Sequence, residues 1–422
     1  MPAELLPLLP AAFPSEAPFR VDQVRQAPGL MTALFLAQIA LAAAFAGVRS
    51  PDRRGVWWLV AALFSAVTLV FFTLACWGTS DITKLNHYLA VDPRGFLAGE
   101  PLWWSLAPWI VQLPYRMAAV HGLTAVVYSW IGLGLARGWA RPGWGGWWAL
   151  LILTSPMLRG FIQNSHTRQA LATALIVPLM LASARLLPVA RRWSWPAAAL
   201  SLAVHATAPA TLLIALLPAL VRTGAAAELW RLPRRGLDLV RGPSRRRRLP
   251  LLLLGLALLI ALLPTLIDTV GVKLHAYLFK ASFFSTYPLR FEVLELQRAL
   301  AIGFVLTCLR RRLGWRELSA CSVSRVLLLF TALYGLIQLA VLHEWLPQIA
   351  FRMGDAVGLF LLITALAWFR THDSLWMLLP ALITCLGDWG VNKVWRPEPK
   401  LRCGEDDDFL CIPDRWPDQV VY

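Results

Sequence analysis

Charge is scarce in this chain. Only 15% of its 422 residues are Asp, Glu, Lys or Arg, against about 25% in soluble domains. That scarcity excludes an ordinary water-soluble globule. Internal repeats and cysteines at metal-binding spacing are missing as well. Of six cysteines, Cys76, Cys308, Cys321 and Cys385 stand singly in or beside apolar runs, where packing is their expected role. Cys403 and Cys411 lie close together in a polar tail, and would suit a disulfide if that tail faces an oxidising compartment. Residues 1–9 have no basic flank and are broken by Pro2 and Pro7, so they do not read as a cleaved signal peptide.

Apolar sequence fills the chain instead: 58% of residues are hydrophobic. Runs long enough to cross a bilayer, at about 1.5 Å per helical residue, lie at 29–48, 55–77, 117–136, 145–162, 168–187, 249–270, 292–309, 325–343, 355–369 and 375–390. The expectation is an all-α polytopic membrane protein with about ten transmembrane helices. Residues 1–28 read as an interfacial segment, with an amphipathic helix at 15–28. Residues 29–390 form the membrane domain, and 391–422 a tail.

The formal charge of +16 does not mark a nucleic-acid binder, because no basic stretch lies in a soluble domain. Lys and Arg concentrate instead in short connectors at 49–54, 137–141, 185–192, 222–248, 310–316 and 370. Positive charge in such loops keeps them cytoplasmic and meets anionic lipid headgroups. The outer segments are then 78–116, 163–167, 271–291, 344–354 and the tail, which carries an acidic run at 405–408.

One segment breaks the alternation. Residues 195–221 lie between two basic loops that both belong inside, so a single crossing would put one of them outside. Two short helices meeting near His205 and Pro209, entering and leaving by one face, restore it. Non-helical backbone at such depth must be buried in protein or line a wet cavity. A different number of crossings within 145–187 is the other solution.

Ionisable residues gather on the deduced outer side, where the apolar runs end or break: Asp81, Glu100, Arg168, His205, Arg290 and Arg352. Charge in or beside hydrocarbon is costly and reads as functional. Asp81 follows the second run, and Glu100 opens an aromatic stretch with Trp103, Trp104 and Trp109, each of which taken alone is an interface anchor. Arg168 and Gln169 begin an apolar helix, with Asn164, Ser165 or Thr167 as caps. A cation there opposes the helix dipole, so an anion is expected to compensate it, and a phosphate would suit. His205 is either a satisfied core residue or a substrate contact. Arg290 and Arg352 either pair locally with Glu292 and Asp355 or join Arg168 on a pyrophosphate, whose oxygens guanidinium binds bidentately. Tyr287 and its aromatic neighbours would line a sugar platform or rest at the interface.

These residues resemble the EpsG family of Wzy-type polysaccharide polymerases over most of the chain, to about residue 369. The matching parts are Gly78-Thr79-Ser80-Asp81 with Tyr88 and Glu100, then Arg168-Gln169-Ala170-Leu171-Ala172, then His205 about 36 residues on. Arg352 is a weaker match. The chain departs from the pattern in placing Ile82, not Tyr, after Asp81, and in its basic insert 222–248 and long tail.

The resemblance implies a helical bundle related to membrane-embedded (GT-C-like) glycosyltransferases, in a bacterial inner membrane with its active site facing the periplasm. Its reaction would move a growing glycan from polyprenyl pyrophosphate to a hydroxyl of an incoming lipid-linked oligosaccharide repeat. The bilayer, a flippase and a chain-length regulator would be its partners. Arg168, Arg290 and Arg352 would hold the pyrophosphate, with Asp81 or Glu100 as base. His205 would share that task or bond the sugar, while Tyr88, Gln169 and Tyr287 would position sugar or helix. Arginines can offset the leaving group's charge, so neither metal nor cofactor is expected. A glycosyltransferase adding single sugars from a polyprenyl-monophosphate donor, and a lipid-linked glycan flippase, are the alternatives.

Overall fold

A computed structural model describes residues 28–47, 54–76, 82, 85–86, 89, 100–163, 166–187, 191–223, 291–338, 347–390 and 394. Every regular element among them is helical. In chain order these are α1 (Pro28–Phe45), α2 (Arg54–Cys76), α3 (Pro101–Ile110), α4 (Met117–Gly138), α5 (Gly145–Thr154), α6 (Thr167–Ser183), α7 (Arg191–Val204), α8 (Ala208–Thr223), α9 (Phe291–Arg311), α10 (Trp315–Ala320), α11 (Ser322–Gln338), α12 (Pro347–Thr371) and α13 (Leu379–Trp389).

Among the described residues, three helices are long and apolar enough to span a membrane: Gly55–Ala75 within α2, Met117–Gly138 as α4, and Met353–Thr371 within α12. Several shorter apolar helices, α6 and α11 among them, pack around these. The most apolar stretch of α12 is 94% buried inside the protein. It is the axis of the bundle, touching α6, α8, α9 and α11.

Helix pairs approach closely where side chains are missing. A Cβ on Gly132 of α4 would lie 2.5 Å from the Ala149 amide nitrogen of α5, and one on Gly146 2.4 Å from Ala42 Cα of α1. Lipid tails give helices no hydrophobic reason to associate, so backbone proximity at small residues carries the packing.

Basic residues from several of the connectors meet at one end of the bundle. Arg137 lies over the Trp57 and Trp58 rings, at 5.2 and 5.0 Å. The Trp139 indole donates to the Leu186 carbonyl at 2.9 Å, and Arg370 sits 5.9 Å above the same Trp139. Arg141 pairs with Asp373 at 3.0 Å, and Arg311 donates to the His372 carbonyl at 3.0 Å. From this end α4 runs back 22 residues, or about 33 Å, close to the thickness of a hydrocarbon core. The starts of α4, α6 and α12 share the far end. The segment after Asp81 reaches it too, since the Asn86 side chain accepts from the Met117 amide at 3.0 Å.

Most expected runs match a helix to within a few residues, and two details change. The run 145–162 is not one helix: α5 stops after ten residues, because Pro156 forces Ser155 into extended backbone (ψ 125°). A 3-10 turn (Pro156–Leu158) and a π-helical turn (Arg159–Gln163) follow. Arg352 lies inside α12 rather than ahead of it. The segment 195–221 does divide, into α7 and α8 joined at His205–Thr207, and both helices pack on α6. Residues 15–27, the run 249–270, the basic insert and the cysteine-bearing tail lie outside the described residues.

The glycine contacts give a graded test. Gly132→Ala and Gly146→Ala should each destabilise the protein by about 1–3 kcal/mol through overpacking. Gly134→Ala, on the same helix as Gly132 but with nothing within 4 Å, should leave thermal unfolding in detergent unchanged or slightly raised.

Candidate functional site

Glu100 precedes α3, whose first residue is Pro101. Proline is suited to that position because its ring presets the helical φ and its missing N–H has no intrahelical partner there. The Glu100 side chain makes no capping bond to its own helix. It turns instead across the bundle end to Arg168, where Oε2 accepts from the guanidinium Nη1. The carboxylate is 1% exposed and the guanidinium side chain 19%.

Arg168 is the second residue of α6, where a cation opposes the positive end of the helix dipole. The compensating anion is Glu100, a residue of the chain itself. Thr167, the one expected cap within the described residues, is instead the first residue of the helix. His166 occupies the cap position without a side-chain capping bond, and the Thr167 hydroxyl bonds His121 Nδ1 at 3.0 Å. Asn164 and Ser165 lie outside the described residues.

His205 completes the group from the turn between α7 and α8. Its Nε2 stands 3.5 Å from Glu100 Oε1, and its side chain is 4% exposed. The Thr207 amide donates to His205 Nδ1 at 3.1 Å, and the Thr207 hydroxyl lies 2.8 Å from the same nitrogen. An amide can only donate, so Nδ1 is an acceptor and the ring proton sits on Nε2, facing the carboxylate. Trp103 locks this turn to α3: its indole donates to the Val204 carbonyl at 2.7 Å. Trp103 is therefore a buried clasp and not an interface anchor. Trp109, on another face of α3, is 70% exposed.

The structure thus brings together three of the expected residues: Glu100, Arg168 and His205. Gln169 is buried beside them on α6. Asp81, Tyr88, Tyr287 and Arg290 lie outside the described residues. Arg352 is placed by its backbone near the start of α12, and its side chain lies outside the described residues. Among the described residues, no three His, Cys, Asp or Glu side chains gather as metal ligands.

Sequence reasoning missed His121 altogether and weighed Asp355 only as a local partner of Arg352. His121, fully buried one turn into α4, bonds the Ile162 carbonyl through Nε2 at 3.0 Å as well as Thr167. Asp355, buried on α12, lies within electrostatic range of Tyr128, whose hydroxyl donates to the Ala170 carbonyl at 3.0 Å. The signal for both was present, a lone ionisable residue inside an apolar run, as at His205.

No protein-family profile, curated protein or solved structure matches this chain. The reading of the site therefore rests on its own chemistry.

That chemistry predicts an ordering of stabilities. Arg168→Ala strands a buried carboxylate and should cost about 3–5 kcal/mol. Glu100→Gln leaves a guanidinium that reaches water and should cost less. Thermal unfolding in detergent should rank wild type above Glu100→Gln, and Glu100→Gln above Arg168→Ala.

Proposed function

We propose that this protein is a polysaccharide polymerase of the EpsG type. It would transfer a growing glycan from polyprenyl pyrophosphate to a hydroxyl of an incoming lipid-linked oligosaccharide repeat, at the periplasmic face of a bacterial inner membrane. One observation carries the reading. A carboxylate, a guanidinium and an imidazole from three separate elements meet at the end of an apolar bundle, opposite the basic end. Positive-inside logic turns the basic end to the cytoplasm and this site to the periplasm.

The pair supports a specific sequence of events. In the resting site Arg168 neutralises Glu100. Of the three side chains the guanidinium reaches furthest toward water, so an arriving pyrophosphate meets it first. Phosphate oxygens draw the guanidinium to themselves and leave Glu100 a stronger proton acceptor. The acceptor hydroxyl attacks the anomeric carbon, its proton passes to Glu100, and the bond from that carbon to the phosphate oxygen breaks. Pyrophosphate departs with the electron pair, and Arg168 stabilises the charge it gains. His205 Nε2–H orients the carboxylate. Arg290 and Arg352 join as further phosphate ligands, Asp81 is the alternative base, and Tyr88, Gln169 and Tyr287 position sugar or helix.

The architecture belonging to this reading has about ten spans and a GT-C-like kinship, with α7 and α8 as the re-entrant pair. That broken pair also suits a transporter, which gives a flippase as the second reading.

Purified protein reconstituted with polyprenyl-pyrophosphate-linked repeat units separates the readings. Polymerisation yields a ladder of repeat lengths in wild type, absent in Arg168→Ala and reduced at least a hundredfold in Glu100→Gln. A single added sugar would mark a one-step transferase, translocation without bond formation a flippase, and a normal ladder in Arg168→Ala would remove the arginine from the mechanism.

A further inference from the structure

We infer that His121 is the positioning residue for Arg168. It aims the guanidinium by tying the start of α6 to the turn that precedes it. The inference rests on the reading of Arg168 as an anion-binding group.

The start of α6 needs such a tie. The helix has no side-chain cap, and the chain reaches it through the irregular backbone of the 3-10 and π-helical turns. π-helical turns recur at functional sites, because they displace a helix end from its regular path. Among the bonds that hold the displaced end are the one from the His166 N–H to the Gly160 carbonyl at 3.1 Å and those of the buried His121 imidazole.

The imidazole suits the task because its two nitrogens point in different directions from one rigid ring. The Ile162 carbonyl, 3.0 Å from Nε2, can only accept, so Nε2 carries the proton. Nδ1 is then the acceptor, and the Thr167 hydroxyl donates to it across 3.0 Å. One ring thereby joins the π-helical turn to the residue immediately before Arg168.

The ring is itself fixed. Phe72 meets it edge-on with centroids 6.4 Å apart, and Trp389 lies against Phe72 at 5.3 Å. Behind it, a Cβ on Gly122 would stand 2.4 Å from Thr73 Oγ1 and 2.7 Å from the Leu69 carbonyl, so α4 cannot slide along α2. His121 therefore transmits the rigid α2–α4 contact to the position of Arg168. It touches no substrate, and its effect runs through the guanidinium alone.

Two measurements on the full-length protein in nanodiscs test this. The first is binding of polyprenyl pyrophosphate; the second is hydrogen–deuterium exchange of the backbone. His121→Ala and Thr167→Val should each weaken binding about tenfold or more, the scale of loss expected when a site group is misplaced by about 1 Å. Combined, they should weaken it no further, because both cut the same tie. Thr167→Ser, which keeps the hydroxyl, should bind as wild type does. Added to Arg168→Ala, His121→Ala should have no further effect on binding. Exchange should quicken over 160–170 and stay unchanged over 355–371.

Wild-type affinity in both His121→Ala and Thr167→Val, a further loss on top of Arg168→Ala, or unchanged exchange over 160–170 would each overturn the inference. Should His121→Ala fail to fold, Thr167→Val carries the test, since it removes one hydroxyl. Should wild-type protein bind no polyprenyl pyrophosphate, the proposed function fails. The exchange measurement, which needs no ligand, then decides the role of His121 by itself.

Discussion

A carboxylate drawn out of water requires a cation, and the arrangement around Glu100 supplies one. Burying an isolated charge costs several kcal/mol or more, so Glu100 is tolerable at that depth only with Arg168 beside it. The surrounding elements keep the two together. Pro101 starts α3 and aims Glu100 inward, Trp103 clasps α3 to the end of α7, and His121 ties the backbone just ahead of Arg168. His205 points its single ring proton at the same carboxylate. Removing the pair would leave these contacts without a common purpose.

The bundle is electrically lopsided. One end holds arginines laid on tryptophan faces and paired with Asp373. The other holds a buried, nearly self-neutralised ionisable group. Arginine over an indole keeps its charge near water while its stem stays among apolar atoms, as suits a protein anchored at a headgroup surface. The site end buries its charges because, in the proposed reaction, they act on a substrate that arrives carrying its own.

Much of the fold was legible in the sequence because hydrocarbon leaves little choice. The runs 55–77 and 117–136 became α2 and α4 almost residue for residue, and the break near His205 followed from the basic loops on either side. The dissection of 145–162 was less accessible, although Pro156 was its marker. Placement of α12 at the centre was not legible: an apolar helix reads alike whether it meets lipid or protein. The site was half legible. Glu100, Arg168 and His205 were each marked as misplaced charge, yet nothing local said that Glu100 would itself be the anion Arg168 needs, because partnership across 68 residues leaves no trace in either segment. His121 was overlooked for a related reason, since its nearest neighbours along the chain are apolar, and Asp355 was weighed only as a partner for Arg352.

The enclosure of α12 bears on how the protein is assembled. A ribosome delivers the chain from its N-terminus, so α1 to α11 are made before the helix that will stand at their centre. They must wait as a loose ring, with surfaces meant for protein temporarily wetted by lipid, until the last long segment arrives. A nascent chain halted ahead of residue 347 would therefore lack the helix on which α6, α8, α9 and α11 close.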